Sequence, residues 1–193
     1  MPAQAAAILQ FWFGAEGSAE YELQRPEWFR KDAEFDALIA RTFGPLIDAA
    51  LVGRLASWAR APQSALAQVL LLDQFTRNAF RDSPRAFAGD VRACAAAEAM
   101  VATAQDQALP MLQRSFVYLP FEHSEQLSQQ HDSVRLFSAL VQQAPELGSM
   151  LDYAERHRAV IERFGRFPHR NAALGRRSTA DELSFLAQPG SRF

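Results

Sequence analysis

Three stretches of the sequence place ionisable side chains among apolar neighbours that offer them few partners. In the first, Leu66 to Asn78, Asp73 and Arg77 stand four residues apart on the same side as Val69 and Leu70. An acid and a base at that spacing on one helix face neutralise each other, which a buried helix requires. The pair either fixes helix packing or, with Asn78, presents a carboxylate and a guanidinium to a cavity, since intact buried charges concentrate at functional sites.

The second stretch is Leu119-Pro120-Phe121-Glu122-His123-Ser124-Glu125. Pro120 biases Leu119 towards extended backbone, so the segment reads as a corner between two helices. Glu122 beside His123 is a usable general acid/base pair or half of a metal site, and equally an ordinary helix cap. HExxH spacing is absent, and neither a metal site nor a cofactor is assigned.

The third runs from Phe164 to Thr179 and contains Arg166, His169, Arg170, Asn171 and Arg176. Seven arginines and two glutamates between Glu155 and Arg177 give a local charge of +5, and the net −2 of the chain leaves −7 for the remainder. Such a loop, next to a helix capped by Thr179, is suited to a phosphate or carboxylate. Alternatively, its arginines turn inward onto loop carbonyls. Arg77, Arg166, Arg170 and Arg176 outnumber Asp73 and Glu122, which favours an anion over a metal ion. His157, between Tyr153 and Ile161, reads as a core histidine.

Helices must position these residues. β-branched residues are scattered, and no alternating run suggests a strand. Stripes at helical spacing comprise Ile8, Leu9, Trp12 and Phe13, then Phe35, Leu38, Ile39 and Phe43, with Pro45 opening a further helix. Gln63 to Asn78 is apolar on several faces and belongs in the middle of the fold. Ser83-Pro84 opens a helix reaching about Gln105, Pro120 ends another, Ser124 caps the next, and Thr179 with Glu182 forms a capping box before Leu183 and Leu186. Eight or nine helices result, as stacked antiparallel hairpins in a single all-α domain spanning 1–193.

Composition narrows the function. With 193 residues, 49% hydrophobic and 22% charged, the chain is globular, and a net charge of −2 argues against nucleic-acid binding. Lys31 is the sole lysine and lies in no phosphate-binding loop, while the single Cys94 excludes disulfides and Cys-rich zinc modules. No targeting segment or membrane span is visible, so a cytoplasmic location is expected.

Phe11-Trp12-Phe13-Gly14, Leu72-Asp73-Gln74-Phe75 with Arg77-Asn78, Ala86-Phe87 with Asp90, the Leu119 to Glu125 stretch, and Gly165-Arg166-Phe167-Pro168-His169-Arg170-Asn171 with Leu174-Gly175-Arg176 and Ser178-Thr179 occur in this order. Together they resemble an uncharacterised family of bacterial proteins, domain of unknown function 924, from Phe11 to about Leu186. The resemblance implies a helical fold similar to tetratricopeptide-like arrays and brings no established activity. The leading expectation is a binding protein in which Asp73, Arg77, Asn78, Arg166, His169, Arg170, Asn171 and Arg176 hold a small anionic ligand or acidic peptide. The alternatives are an interaction module without a small ligand, and a hydrolase-type enzyme using Glu122 and His123 as acid and base.

Overall fold

Helix α1 (Ala3–Phe13) buries Ala5, Ile8, Trp12 and Phe13, the stripe that their spacing predicts. Helix α2 (Ala33–Leu51) opens on Asp32, whose carboxylate accepts from the N–H groups of Glu34 and Phe35. It runs straight through Pro45 instead of starting anew there. Ile39, Phe43, Ile47 and Ala50 keep their helical period across the proline, so continuous packing outweighs one lost backbone hydrogen bond. The structure is a computed structural model describing residues 1–21 and 23–191, among which there is no strand.

The central helix α3 occupies residues 62–79. Pro62–Leu70 is regular, Leu71–Phe75 widens into a π turn, and Thr76–Ala79 resumes the α form. Every residue from 69 to 76 is buried. Helix α1 packs on the first part, and α2 on the π turn and the last α-helical turn beyond it. Then come α4 (Asp90–Ala102), α5 (Met111–Glu122), α6 (Leu127–Gln143), α7 (Gly148–Phe164) and α8 (Ala180–Leu186). α4 and α5 pack on α3 and on each other, α6 on α5, and α7 on α6. The chain is an all-helical array in which most consecutive helices are neighbours. Among the described residues, no helix is long and apolar enough to cross a membrane.

Several boundaries differ from the sequence reading. Pro84–Phe87 forms a 3₁₀ turn, and the following helix begins only at Asp90. The Ser83 hydroxyl donates to the Phe80 carbonyl rather than capping. Pro120 lies inside the last turn of α5. Ser124 accepts from the N–H of Gln126, one residue ahead of α6. The Thr179–Glu182 capping box is complete, yet Leu183 is exposed and Glu182 is the residue that α8 buries.

Trp12, Trp28 and Trp58 are buried. Trp12 stacks on Trp28 at 5.7 Å and meets Phe116 edge-on at 5.9 Å, tying α1 to α5. A smaller core of Val160, Ile161 and Phe167, with Phe164 and Phe185 against it, lies beneath the C-terminal segment. The end of α3, the end of α5 and the loop after α7 meet through Asp73, His123 and Arg170.

Candidate functional site

The π turn delivers Asp73, fully buried, to the end of α5. Its Oδ1 lies 2.7 Å from Nδ1 of His123 and 3.0 Å from Nη1 of Arg77. Arg77 reaches onward to Asp90 Oδ1 at 3.0 Å. The other oxygen of Asp90 holds Arg170 Nη1 at 2.9 Å, and Arg170 Nη2 donates to the His123 carbonyl at 2.9 Å. Asp73, Arg77, Asp90, Arg170 and His123 therefore close a ring drawn from α3, the start of α4, the end of α5 and the loop after α7. The Arg170 guanidinium lies 4.8 Å from the centre of the Phe87 ring and 4.5 Å from that of Phe167, which fixes its plane. The ring reaches the surface at one edge, where the side chains of Arg77, His123 and Asp90 are 18%, 15% and 19% exposed.

Adjacent Glu122 and His123 do not pair with each other. Glu122 Oε1 lies 3.1 Å from His157 Nδ1, which is also 2.8 Å from the Tyr153 carbonyl. Glu122 Oε2 is buried without a hydrogen bond. Glu122, His123 and His157 each bring one ligand atom within 4.8 Å of the other two.

Burial and charge set the protonation states. Burial alone would raise the Asp73 carboxyl, but Arg77 and His123 outweigh it and hold the group well below the usual range, ionised. Burial, reinforced by the Asp73 charge, pushes Glu122 well above its ordinary value. Burial, then Arg77, lowers His123, and burial, then His123, lowers His157 further. His169 is pushed down to about 3 by burial and Arg170, and Arg170 down to about 10 by burial and Arg77. Burial, then Glu98, raises the Cys94 thiol to about 12 and keeps it protonated.

The remaining sequence candidates sit differently. Asn78 donates to Asp36, which also binds Arg81, and so ties α3 to α2. Arg166 forms a two-pronged pair with Glu182, at 2.6 and 2.8 Å. Arg176 grips Glu125 at 2.7 Å and donates to Asn171 Oδ1. Asn171 in turn donates to Ser178 and Glu182, and His169 lies against Phe167. These residues staple the loop that carries Arg170. The start of α8 is closed by its own capping box, with Glu182 accepting from the Thr179 N–H at 2.7 Å.

Against known families, the description "Bacterial protein of unknown function (DUF924)" matches residues 8–190. The chain belongs to the DUF924 family. It is similar to a solved structure, a protein of unknown function, ATU0120, from Agrobacterium tumefaciens. The two share 39% identity with a TM-score of 0.82, over 96% of this chain and 97% of that one. No curated protein matches this DUF924 chain.

Four contributors to the candidate site were given no role from the sequence. Asp90 and Phe87 fell inside the helix expected from Ser83 to about Gln105 and entered only as part of a family motif. His157 looked like core, which it also is, at 4% exposed. Gln130 carried no signal, yet its amide donates to the carbonyls of Glu122 and Ser124, both at 2.6 Å, and holds the α5–α6 corner in place.

Proposed function

We propose that the ring around Asp90 binds a small anionic group. Arg77 and Arg170 are joined through that one carboxylate, and the observation that carries the reading is what each leaves over. Arg77 Nη2 and Arg170 Nε are buried donors without hydrogen-bond partners. A guanidinium keeps its charge in a protein, and an oxyanion is the acceptor that satisfies two such donors together. The narrow edge at Arg77, Asp90 and His123 suits a small ligand better than a peptide. Net charge is not the attraction. With Asp90, Glu125 and Glu182 added to Asp73 and Glu122, the arginine surplus counted in the sequence disappears. The candidate ligand set narrows to Arg77 and Arg170, with Arg166, Asn171 and Arg176 holding the loop.

Calorimetric titration with inorganic phosphate and with acetate tests this reading. The expected result is binding of at least one anion by the wild-type protein, weakened tenfold or more in Arg170→Lys, which keeps the charge and loses the planar fork. Should that variant fold poorly, anion-induced shifts of the arginine side-chain resonances in the wild-type protein replace it. No binding of either anion to the wild-type protein overturns the proposal.

A second reading, acid–base catalysis of hydrolase type, is favoured by the 2.7 Å contact of Asp73 with His123. Asp73 would orient the imidazole and leave Nε2 to take a proton. Glu122, engaged with His157, would not be its partner. Turnover of activated esters that disappears in His123→Gln supports this reading, and its absence in the wild-type protein removes it.

A further inference from the structure

We infer that Glu122, His123 and His157 form a binding site for a divalent transition-metal ion of the zinc type. Two histidines and one glutamate are a donor set that zinc accepts while keeping a position open for water or ligand. Their ligand atoms all lie within 4.8 Å of one another. Four ligands at bonds of about 2.1 Å sit roughly 3.4 Å apart, so the three donors have to draw together by little more than about 1 Å.

Three further observations point to an ion. Glu122, 3% exposed, has one carboxylate oxygen without a hydrogen-bond partner. Asp73 accepts from His123 Nδ1 at 2.7 Å, and the Tyr153 carbonyl faces His157 Nδ1 at 2.8 Å. A carboxylate or carbonyl behind each imidazole fixes its tautomer and puts the lone pair on Nε2, the support that ligating histidines ordinarily have. The charges also permit it. Asp73 and Asp90 offset Arg77 and Arg170, so a dication held by the Glu122 carboxylate leaves the cluster at +1. Sequence spacing hid this site because its donors come from the end of α5 and the middle of α7.

The inference goes beyond the anion-binding reading and stands without it, and it uses His123 as a ligand in place of the base of the second reading. The test is titration of chelator-treated full-length protein with Co²⁺ and Zn²⁺. The expected result is one equivalent of Co²⁺ giving tetrahedral or five-coordinate visible bands, displaced by Zn²⁺. Zinc affinity, measured against a chromogenic chelator, should fall at least tenfold in Glu122→Gln and in His157→Gln, and about 10–100-fold in Asp73→Asn. His131→Ala, which removes an exposed histidine remote from these donors, should change nothing. Absence of visible bands in the wild-type protein overturns the proposal, as does unchanged zinc affinity in folded Glu122→Gln. If the variants fail to fold, Zn²⁺-dependent shifts of the His123 and His157 ring resonances in the wild-type protein decide the matter. Phosphate binding with no metal binding would leave the anion reading intact and remove this one.

Discussion

Asp73 touches His123, Arg77 and Gln74 from a fully buried position, so its loss strands two groups that it neutralises or orients. Asp73→Ala should destabilise the protein by about 3–5 kcal/mol, read from urea unfolding, the range for breaking a buried pair by removing one partner. Arg170→Ala belongs in the same class, because Arg170 is 5% exposed, bound to Asp90 and packed against two aromatic rings. The Asp73–Arg77 pair was legible because both partners lie on one apolar helix four residues apart. The partners of Glu122 and His123 were not, since they lie 35 and 50 residues away and no local pattern chooses between them. A pH prediction also belongs at this scale. His169 titrates at about 3 when folded and near 6.5 when unfolded, so unfolding takes up a proton as pH falls below 6.5. Its contribution is fully present above 6.5 and is lost towards 3. Between pH 7.5 and 5.5 the wild-type protein should lose about 1.4 kcal/mol more stability than His169→Asn. Equal losses would mean that the imidazole is not held neutral.

Two backbone contacts hold the elements in register. A Cβ at Gly89 would lie 2.1 Å from the Leu72 carbonyl oxygen, so only glycine lets the start of α4 press against the π turn. That contact sets Asp90 beside Arg77. Gly89→Ala should cost about 2–3 kcal/mol or more and weaken any anion binding along with it. Gln130 acts similarly at the other corner. Gln130→Met fills the space and abandons buried carbonyls, with an expected loss of about 1–3 kcal/mol by thermal or urea unfolding. Helices were legible where an apolar stripe recurred, as in α1, α3 and α7. Their ends were misread at Pro45, Ser83 and Pro120, because tertiary packing overrode each local signal.

Across the whole molecule, the ring draws on residues near 73, 90, 123 and 170, so it exists only when the array is closed. The pairs Arg166–Glu182 and Arg176–Glu125 supply that closure from the C-terminal side. Removing the chain from Ser178 onward should raise amide exchange through residues 165–176 while residues 62–79 stay protected, because the larger core does not depend on α8. Faster exchange in 62–79 as well would show the two cores to be one cooperative unit. The all-helical array was readable from periodicity alone. Which helix ends would share a site was not, because that depends on how far each helix is rotated about its axis.

The π turn makes that rotation a matter of residue count. Were Leu71–Phe75 to take regular α geometry with no residue removed, helical hydrogen bonding would ordinarily improve. The change would also swing residues 76–79 by about 100° about the axis relative to the residues before the turn, because the π turn absorbs one residue and an α-helix advances about 100° per residue. Arg77 would then leave Asp73 and Asp90, and Asn78 would leave Asp36, with no side chain in the site substituted. A single deletion inside the turn, which leaves the flanks in phase, should therefore keep Arg77 beside Asp90, whereas a single insertion there should give a folded helical protein that has lost the ring. The spacing between Leu70 and Thr76 is as much a component of the site as any group that lines it.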